Sequence, residues 1–312
     1  MPNDLPRSLS GAHTLAGGRA SNALVLLQIP APSAIPDLLN PQSRRDVLLP
    51  LASPAVTFIP RFNAPPRLLV SVRSATEARA ALEGGCDILD VKEPSRGPLG
   101  MADLKVIHEI GHVARSMAPT VSLSVALGEA RDWPEGCDFP ELPEPVHIVK
   151  AGVAGISRNL LNRRLAGLQD ACRVANPSHA RPIQWVLATY ADATEAGSPT
   201  LATLFDLASK LGFWGVLIDT WNKSGPALPN QLDECELRTL ADLAGHHQLQ
   251  FALAGRLRLD DIALLRRIAP EIVGIRSAGC MAGDRTGEIV SSRVREFGDP
   301  LRAPKPTATD TT

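Results

Sequence analysis

The sequence lacks several features that would point to common protein classes. Its formal net charge is −1 over 312 residues, so it has no strong basic field of the kind that nucleic-acid-binding proteins carry. No apolar run approaches the roughly 20 residues that a membrane-spanning helix needs. We therefore expect a cytoplasmic protein with neither nucleic acid nor a membrane as its main partner.

Cysteine is scarce and has no pattern. There are five cysteines, with no CxxC motif and no Cys/His spacing typical of a metal site. An odd number of distant cysteines indicates reduced thiols rather than a disulfide framework. We expect no metal ion, and we expect small buried thiols at Cys86, Cys137, Cys172, Cys235 and Cys280.

Lysine is the rarest charged residue type. Of 32 basic residues only six are lysine, so arginine supplies most of the positive charge. A buried lysine can lose its proton and act as a nucleophile or base, whereas arginine effectively cannot. A lysine at the end of a buried strand therefore suggests a chemical function.

Composition divides the chain into three parts. Residues 1–66 hold 11 of the 27 prolines and few charges, which favours a poorly ordered extension. Residues 67–298 form the expected catalytic domain. The Pro/Thr-rich residues 299–312 are predicted to be a flexible tail.

Apolar runs recur through the middle part and alternate with helical patterns. Near-continuous apolar strands separated by helices indicate a parallel sheet covered on both faces. Eight such strands predict an α/β fold, a (β/α)₈ TIM barrel. The predicted strands are 68–72, 88–92, 121–127, 147–152, 183–190, 215–220, 249–255 and 272–277. The predicted helices include one after a capping box at Ser74–Glu77 and others at 158–171, 200–211, 234–244, 260–268 and 285–297.

Two further observations refine this architecture. No GxGxxG motif follows the first strand, which weakens the dinucleotide-binding alternative. Residues 128–146 carry four prolines and no helical period. The third βα sector is therefore predicted to be irregular, with its helix missing or reduced to a loop.

The strand ends carry the residues with chemical potential, because barrel active sites lie at the C-terminal ends of the strands. Asp90 and Lys92 are two residues apart and share one face of their strand. Lys150, Asp219 and Lys223 end or follow two other strands. Clustering and burial lower amine pKa values, so these lysines are candidates for Schiff-base chemistry assisted by the aspartates.

The last two strand ends suit a phosphate group. Glycines allow backbone N–H groups to approach an anion, and a phosphate site after strands seven and eight is common in this fold. The predicted phosphate-binding residues are Gly255, Arg276, Ser277 and Gly279.

Several segments together resemble one known family, the (5-formylfuran-3-yl)methyl phosphate synthases, also called 4-(hydroxymethyl)-2-furancarboxaldehyde-phosphate synthases. The likeness covers roughly residues 67–298. The segments that carry it are Leu-Leu-Val-Ser71, Asp90-Val-Lys92-Glu-Pro, Gly97-Pro-Leu-Gly100, Ile148-Val-Lys150-Ala-Gly152, Ala188-Thr-Tyr190-Ala-Asp192, Leu217-Ile-Asp219-Thr220, Ala252-Leu-Ala-Gly255, Val273-Gly-Ile-Arg276 and Gly283-Asp-Arg285.

The resemblance implies a lyase that condenses two glyceraldehyde 3-phosphate molecules to a furan aldehyde phosphate, with release of phosphate and water, for methanofuran-type biosynthesis. It implies that Lys92 forms the Schiff base and that Lys150 accepts a proton. Asp90, Asp219 and Lys223 would support them. No cofactor is implied, because the iminium itself is the electron sink.

Two other functions stay open on the sequence. The lysine cluster would serve equally well in another Schiff-base aldolase that acts on sugar phosphates. A non-catalytic barrel that acts as a binding partner is the third alternative. The sequence also leaves open whether the chain forms a homo-oligomer.

Overall fold

The central part of the chain forms a closed parallel barrel. A computed structural model describes residues 64–179 and 181–304. Eight strands pair in chain order, and the last pairs with the first. They are β1 Arg67–Val72, β2 Ile88–Val91, β3 Ser122–Glu129, β4 Val146–Gly152, β5 Gln184–Tyr190, β6 Gly215–Asp219, β7 Gln250–Leu253 and β8 Ile272–Ile275. The (β/α)₈ prediction is confirmed, and each strand agrees with its predicted range to within two residues at either end.

Helices connect the strands over most of the described residues. They are α1 Ala75–Glu83, α2 Leu104–Met117, α3 Arg158–Ala175, α4 Ala193–Ala196, α5 Leu201–Lys210, α6 Glu234–His246, α7 Ile262–Ile268 and α8 Ser291–Arg302. The prediction that the last helix starts at Arg285 is wrong. The preceding residues form a loop, in which the Asp284 side chain accepts the Thr286 N–H at 2.9 Å, so α8 begins only at Ser291.

The third sector is irregular, as the four prolines indicated. Only a 3₁₀ turn at Ala130–Asp132 occurs between β3 and β4. The loop packs on the barrel through Trp133, whose ring stacks on Phe139 at 5.2 Å and whose Nε1 donates to the Leu127 carbonyl at 2.7 Å. These contacts replace the packing that a third helix would provide.

Alternation along the strands separates the lumen from the outer core. On β5, Val186, Ala188 and Tyr190 belong to the inner cluster of buried side chains. Trp185 and Leu187 belong to the larger cluster between the strands and the helices. Residues two apart on a strand therefore share the lumen, which is the geometry expected for Asp90 and Lys92.

The capping box predicted at the start of α1 is only half formed. Ser74 caps the helix by accepting the Glu77 N–H at 3.2 Å. The Glu77 carboxylate does not return to Ser74 but accepts the Arg73 N–H at 2.9 Å and binds Arg276. Glu77 therefore joins the residue before the α1 N-cap to Arg276 at the end of β8.

The chain ends fall mostly outside the described residues. The expected extension over residues 1–66 lies outside them up to residue 63. The expected tail lies outside them from residue 305, whereas residues 299–302 belong to α8 rather than to a tail. Between these limits, no helix of the described ranges is both long and apolar enough to cross a bilayer.

Candidate active site

A cavity at the C-terminal ends of the strands gathers nearly all of the predicted site residues. Eight of the nine line it, and the ninth, Gly279, does not. The eight are Asp90, Lys92, Lys150, Asp219, Lys223, Gly255, Arg276 and Ser277. Residues from five different strand ends therefore meet at one place, as the barrel topology requires.

One buried ion pair joins β2 to β4. The Lys150 amine contacts Oδ1 of Asp90, and both side chains are almost fully buried. The Ser71 hydroxyl of β1 donates to the other Asp90 oxygen at 2.9 Å. Burial alone would raise the pKa of Asp90, but the amines of Lys150 and Lys92 and the two hydrogen bonds lower it below its ordinary value. Asp90 is therefore an anion that holds the Lys150 amine in the lumen.

A second ion pair follows β6. The Lys223 amine donates to Oδ1 of Asp219 at 2.6 Å, and the Thr220 backbone N–H donates to the same oxygen at 2.7 Å. Burial alone would raise the pKa of Asp219, but the amines of Lys223 and Lys92 and the hydrogen bonds from Lys223 and Thr220 lower it below its ordinary value. Burial lowers the pKa of Lys223, and Asp219 opposes that effect.

Lys92 differs from both of these lysines because it has no carboxylate partner. It is 8% exposed, and its amine makes only a long contact of 3.4 Å with the Pro98 carbonyl. No carboxylate of the described ranges lies within 4.0 Å of it. Burial lowers the pKa of Lys92 to about 7, while the nearby charges of Asp219 and Lys223 act on it in opposite directions. A substantial fraction of this amine is therefore neutral and nucleophilic at neutral pH.

The ends of β7 and β8 offer backbone donors to the cavity. Within the described part of the chain, the N–H groups of Gly255 and Ser277 donate to no acceptor. Gly255 has φ +103°, and a Cβ there would lie 2.9 Å from Cγ2 of Thr220, so only glycine fits without strain. These two groups suit the predicted anion site.

The other two predicted phosphate ligands are placed differently. All five N–H donors of Arg276 already have acceptors. Nε donates to the Arg285 carbonyl at 2.7 Å, Nη1 to the Ser71 carbonyl and Glu77, and Nη2 to Glu77 and the Gly287 carbonyl. The geometry therefore argues against a guanidinium–phosphate contact by Arg276, because such a contact would break this network.

Gly279 also lies away from the cavity. A Cβ added there would meet Ile289 at 3.3 Å and Val294 at 3.4 Å, and its N–H donates to the Arg276 carbonyl at 2.9 Å. This glycine allows the turn to pack closely against α8. The structure does not favour the predicted role of Gly279 in phosphate binding.

Two arginines of the cavity wall were not predicted as site residues. Arg256 has φ +59°, which is unusual for a residue with a side chain, and its guanidinium contacts the Gly225 carbonyl. Arg285 is half-buried and makes one long contact, at 3.4 Å, with the Pro94 carbonyl. The sequence did signal Arg285, since it lies in one of the family-like segments, but a distance of ten residues from the end of β8 hid its position.

Another buried polar group, also not predicted as part of the site, joins β3 to β5 and is not among the residues that line the cavity. The Tyr190 hydroxyl donates to the Glu129 carboxylate, which also accepts the Ala154 N–H at 2.8 Å. Burial raises the pKa of Glu129, although these hydrogen bonds oppose the shift. The Trp221 ring packs edge-on against Tyr190 at 5.3 Å. These contacts join β3 to β5 through buried polar groups that satisfy each other.

The described residues contain no cluster of three His, Cys, Asp or Glu side chains that could hold a metal ion. The charged side chains that line the cavity are two aspartates, three lysines and three arginines.

Comparison with known proteins identifies relatives that span the whole barrel. A (5-formylfuran-3-yl)methyl phosphate synthase of Methanopyrus kandleri is 34% identical over 76% of this chain and 99% of its own length. Relatives with the same description from Methanosarcina mazei and Methanothermobacter thermautotrophicus are 33% and 32% identical, over 74% and 75% of this chain and 97% and 98% of theirs. Among solved structures, a thiamine phosphate pyrophosphorylase of Pyrococcus furiosus is 12% identical over 76% of this chain and 95% of that chain, with a TM-score of 0.48.

The family model described as 4-HFC-P synthase matches residues 68–298. That range coincides with the barrel and with the family resemblance seen in the sequence. The chain belongs to the 4-HFC-P synthase family.

Proposed function

We propose that this chain condenses two glyceraldehyde 3-phosphate molecules to (5-formylfuran-3-yl)methyl phosphate, through an iminium formed on Lys92. The observation that carries the proposal is the buried Lys92 amine, which has no ion-pair partner and a pKa lowered to about 7. The relatives bear the name of this product, and their identity extends over the whole barrel.

The first step would use the neutral amine of Lys92. The amine adds to the substrate carbonyl, and loss of water gives an iminium, which withdraws electrons from the neighbouring carbon. A proton then leaves that carbon to a base, and the resulting enamine is a carbon nucleophile. No redox cofactor is required, because the iminium accepts and returns the electron pair.

The Asp90–Lys150 pair is the candidate for the proton transfers. It lies in the lumen next to Lys92, and the charges of all three groups act on one another. A proton can move within a carboxylate–amine pair with little net change of charge in the cavity, which a low-dielectric site favours. The Asp219–Lys223 pair would keep the opposite side of Lys92 charged and polar.

The net reaction is balanced without an external reductant. The enamine carbon attacks the carbonyl of the second molecule, and the six-carbon adduct loses one phosphate and two water molecules to become the furan aldehyde phosphate. The phosphate that is retained needs an anion site, and the free N–H groups of Gly255 and Ser277 support one at the ends of β7 and β8. We further propose that the product serves the synthesis of a methanofuran-type carrier.

The test is a product analysis with purified protein and glyceraldehyde 3-phosphate. Mass spectrometry should detect the furan aldehyde phosphate, and one inorganic phosphate should appear for each product molecule. A reversible Schiff-base aldolase would instead give a six-carbon sugar bisphosphate and release no phosphate. Absence of any product at substrate concentrations well above those of ordinary metabolites would reject both functions.

A further inference from the structure

Arg285 is a cavity-lining cation that uses only one of its five N–H donors among the described residues. Its only hydrogen bond within the described residues is the long contact of 3.4 Å between Nη2 and the Pro94 carbonyl, and no carboxylate there pairs with it. Burial lowers the pKa of Arg285, and the nearby Asp219 opposes that shift. A half-buried guanidinium with free donors that faces a cavity is a site for an anion.

The backbone around Arg285 is held by Arg276. The Arg276 guanidinium donates to the carbonyls of Arg285 at 2.7 Å and Gly287 at 3.2 Å, which fixes both sides of the loop. The loop itself closes on Asp284, which accepts both the N–H and the hydroxyl of Thr286. The position of the Arg285 side chain therefore depends on a second arginine that has no free donor of its own.

Arg276 is itself held by a buried carboxylate. Glu77, at the start of α1, is 2% exposed and binds both terminal nitrogens of Arg276, at 2.8 Å and 3.1 Å. Arg276 also donates to the Ser71 carbonyl at 2.9 Å, and the Ser71 hydroxyl holds Asp90. One hydrogen-bonded network thus runs from α1 to the loop that carries Arg285 and to the carboxylate that holds Lys150.

We propose that Arg285 binds the phosphate group of the substrate, together with the N–H groups of Gly255 and Ser277, and that Arg276, fixed by Glu77, is the positioning residue for Arg285. The inference rests on the proposed function and specifies how that site recognises phosphorylated aldehydes. Arg285, Gly255 and Ser277 line the same cavity as Lys92. A guanidinium fork opposite backbone donors is the arrangement that a phosphate favours.

The first experiment measures selectivity for the phosphate group. Adduct formation on Lys92 is trapped with cyanoborohydride, using glyceraldehyde 3-phosphate or unphosphorylated glyceraldehyde, and the ratio of the two second-order rates is determined. We expect the ratio to fall roughly 10- to 100-fold in Arg285→Gln and to recover in large part in Arg285→Lys. Arg293→Gln, on the exposed surface of α8, is the matched control and should leave the ratio unchanged. An unchanged ratio in Arg285→Gln would overturn the assignment.

The second experiment tests the positioning role by a double-mutant cycle. Arg276→Lys cannot make all five hydrogen bonds and should lower the same ratio. The double variant Arg276→Lys/Arg285→Gln should have the same ratio as Arg285→Gln alone, because the two residues act on one contact. Glu77→Gln keeps the size of the carboxylate and provides a second, milder variant if Arg276→Lys fails to fold. Independent, multiplicative losses would show that Arg276 does not act through Arg285.

Calorimetry with inorganic phosphate separates this inference from the proposed function. The wild-type protein and Arg293→Gln should bind phosphate at the barrel mouth, and Arg285→Gln should bind it roughly 10-fold or more weakly. If Arg285→Gln lost phosphate binding but the wild-type protein formed no adduct on Lys92, the Schiff-base function would be rejected and the anion site would be kept. Equal phosphate binding in all three proteins would reject the anion site alone.

Discussion

The two sides of the barrel mouth use different cations. The lysine edge consists of Lys92, Lys150 and Lys223 at the ends of β2, β4 and β6, with Asp90 and Asp219 between them. The arginine edge consists of Arg256, Arg276 and Arg285 beyond β7 and β8. The chain has six lysines and 26 arginines. Three of the six lysines lie on one edge of the mouth, and the cations of the other edge are all arginines.

The difference corresponds to two chemical requirements. A Schiff base needs an amine that gives up its proton near neutral pH, and only lysine can do so when it is buried. A phosphate needs a charge that stays in place and donors in a fixed geometry, which arginine supplies. Lysines thus occur on the side of the mouth where we propose that proton transfer takes place. Arginines occur on the side where we propose that the phosphate binds.

The largest expected loss of turnover comes from replacing Lys92 with arginine. Lys92→Arg keeps the positive charge but cannot form an iminium, so turnover should fall by at least about 10³-fold and no adduct should be trapped at residue 92. Product formation from glyceraldehyde 3-phosphate and peptide mass spectrometry after cyanoborohydride treatment measure the two effects.

The matched control for this variant is Lys105→Arg on α2. Lys105 is exposed, lies 4.0 Å from Glu109 on the same helix, and is not among the residues that line the cavity. Its replacement should leave turnover as in the wild type. Retention of substantial turnover in Lys92→Arg would show that the amine is not the nucleophile.

A comparable or smaller loss of turnover is expected at Lys150, the proposed proton carrier. Lys150→Arg can keep the ion pair with Asp90 but cannot exchange its proton, so turnover should fall about 10²- to 10⁴-fold while trapping at Lys92 continues. The measurement compares the rate of adduct formation with the rate of product release in one preparation. If both rates fell together, Lys150 would act in forming the Schiff base rather than in the later proton transfers.

Much of the fold followed from the sequence because local patterns determine it. The strands are short, buried apolar runs, and burial on both faces leaves few other structures for them. The prolines of residues 128–146 likewise disfavour a helix in that segment, whatever the rest of the chain does. The start of α8 was missed because the residues before it form a loop that is closed by the Asp284–Thr286 contact and held by the Arg276 side chain, and helical periodicity shows neither contact.

The site was predictable only in part, for a similar reason. The lysines and aspartates are near strand ends, and strand ends converge in this fold, so their meeting could be inferred. The sequence does not show which donors of Arg276 are already used, since its partner Glu77 lies 199 residues away. The Glu129–Tyr190 contact, 61 residues apart, was hidden in the same way.

The protonation of Lys92 tests the central claim most directly. With only six lysines, the side-chain ¹⁵N signals of the protein can be followed individually by NMR, and Lys92→Arg assigns the relevant one. The account predicts that the Lys92 signal titrates with a midpoint near pH 7, because burial lowers the pKa of Lys92 to about 7. The fraction of neutral amine and the rate of adduct formation should both increase as the pH rises through that value. A midpoint near the ordinary lysine value of about 10.4 would contradict it, since the amine would then be almost fully charged at neutral pH.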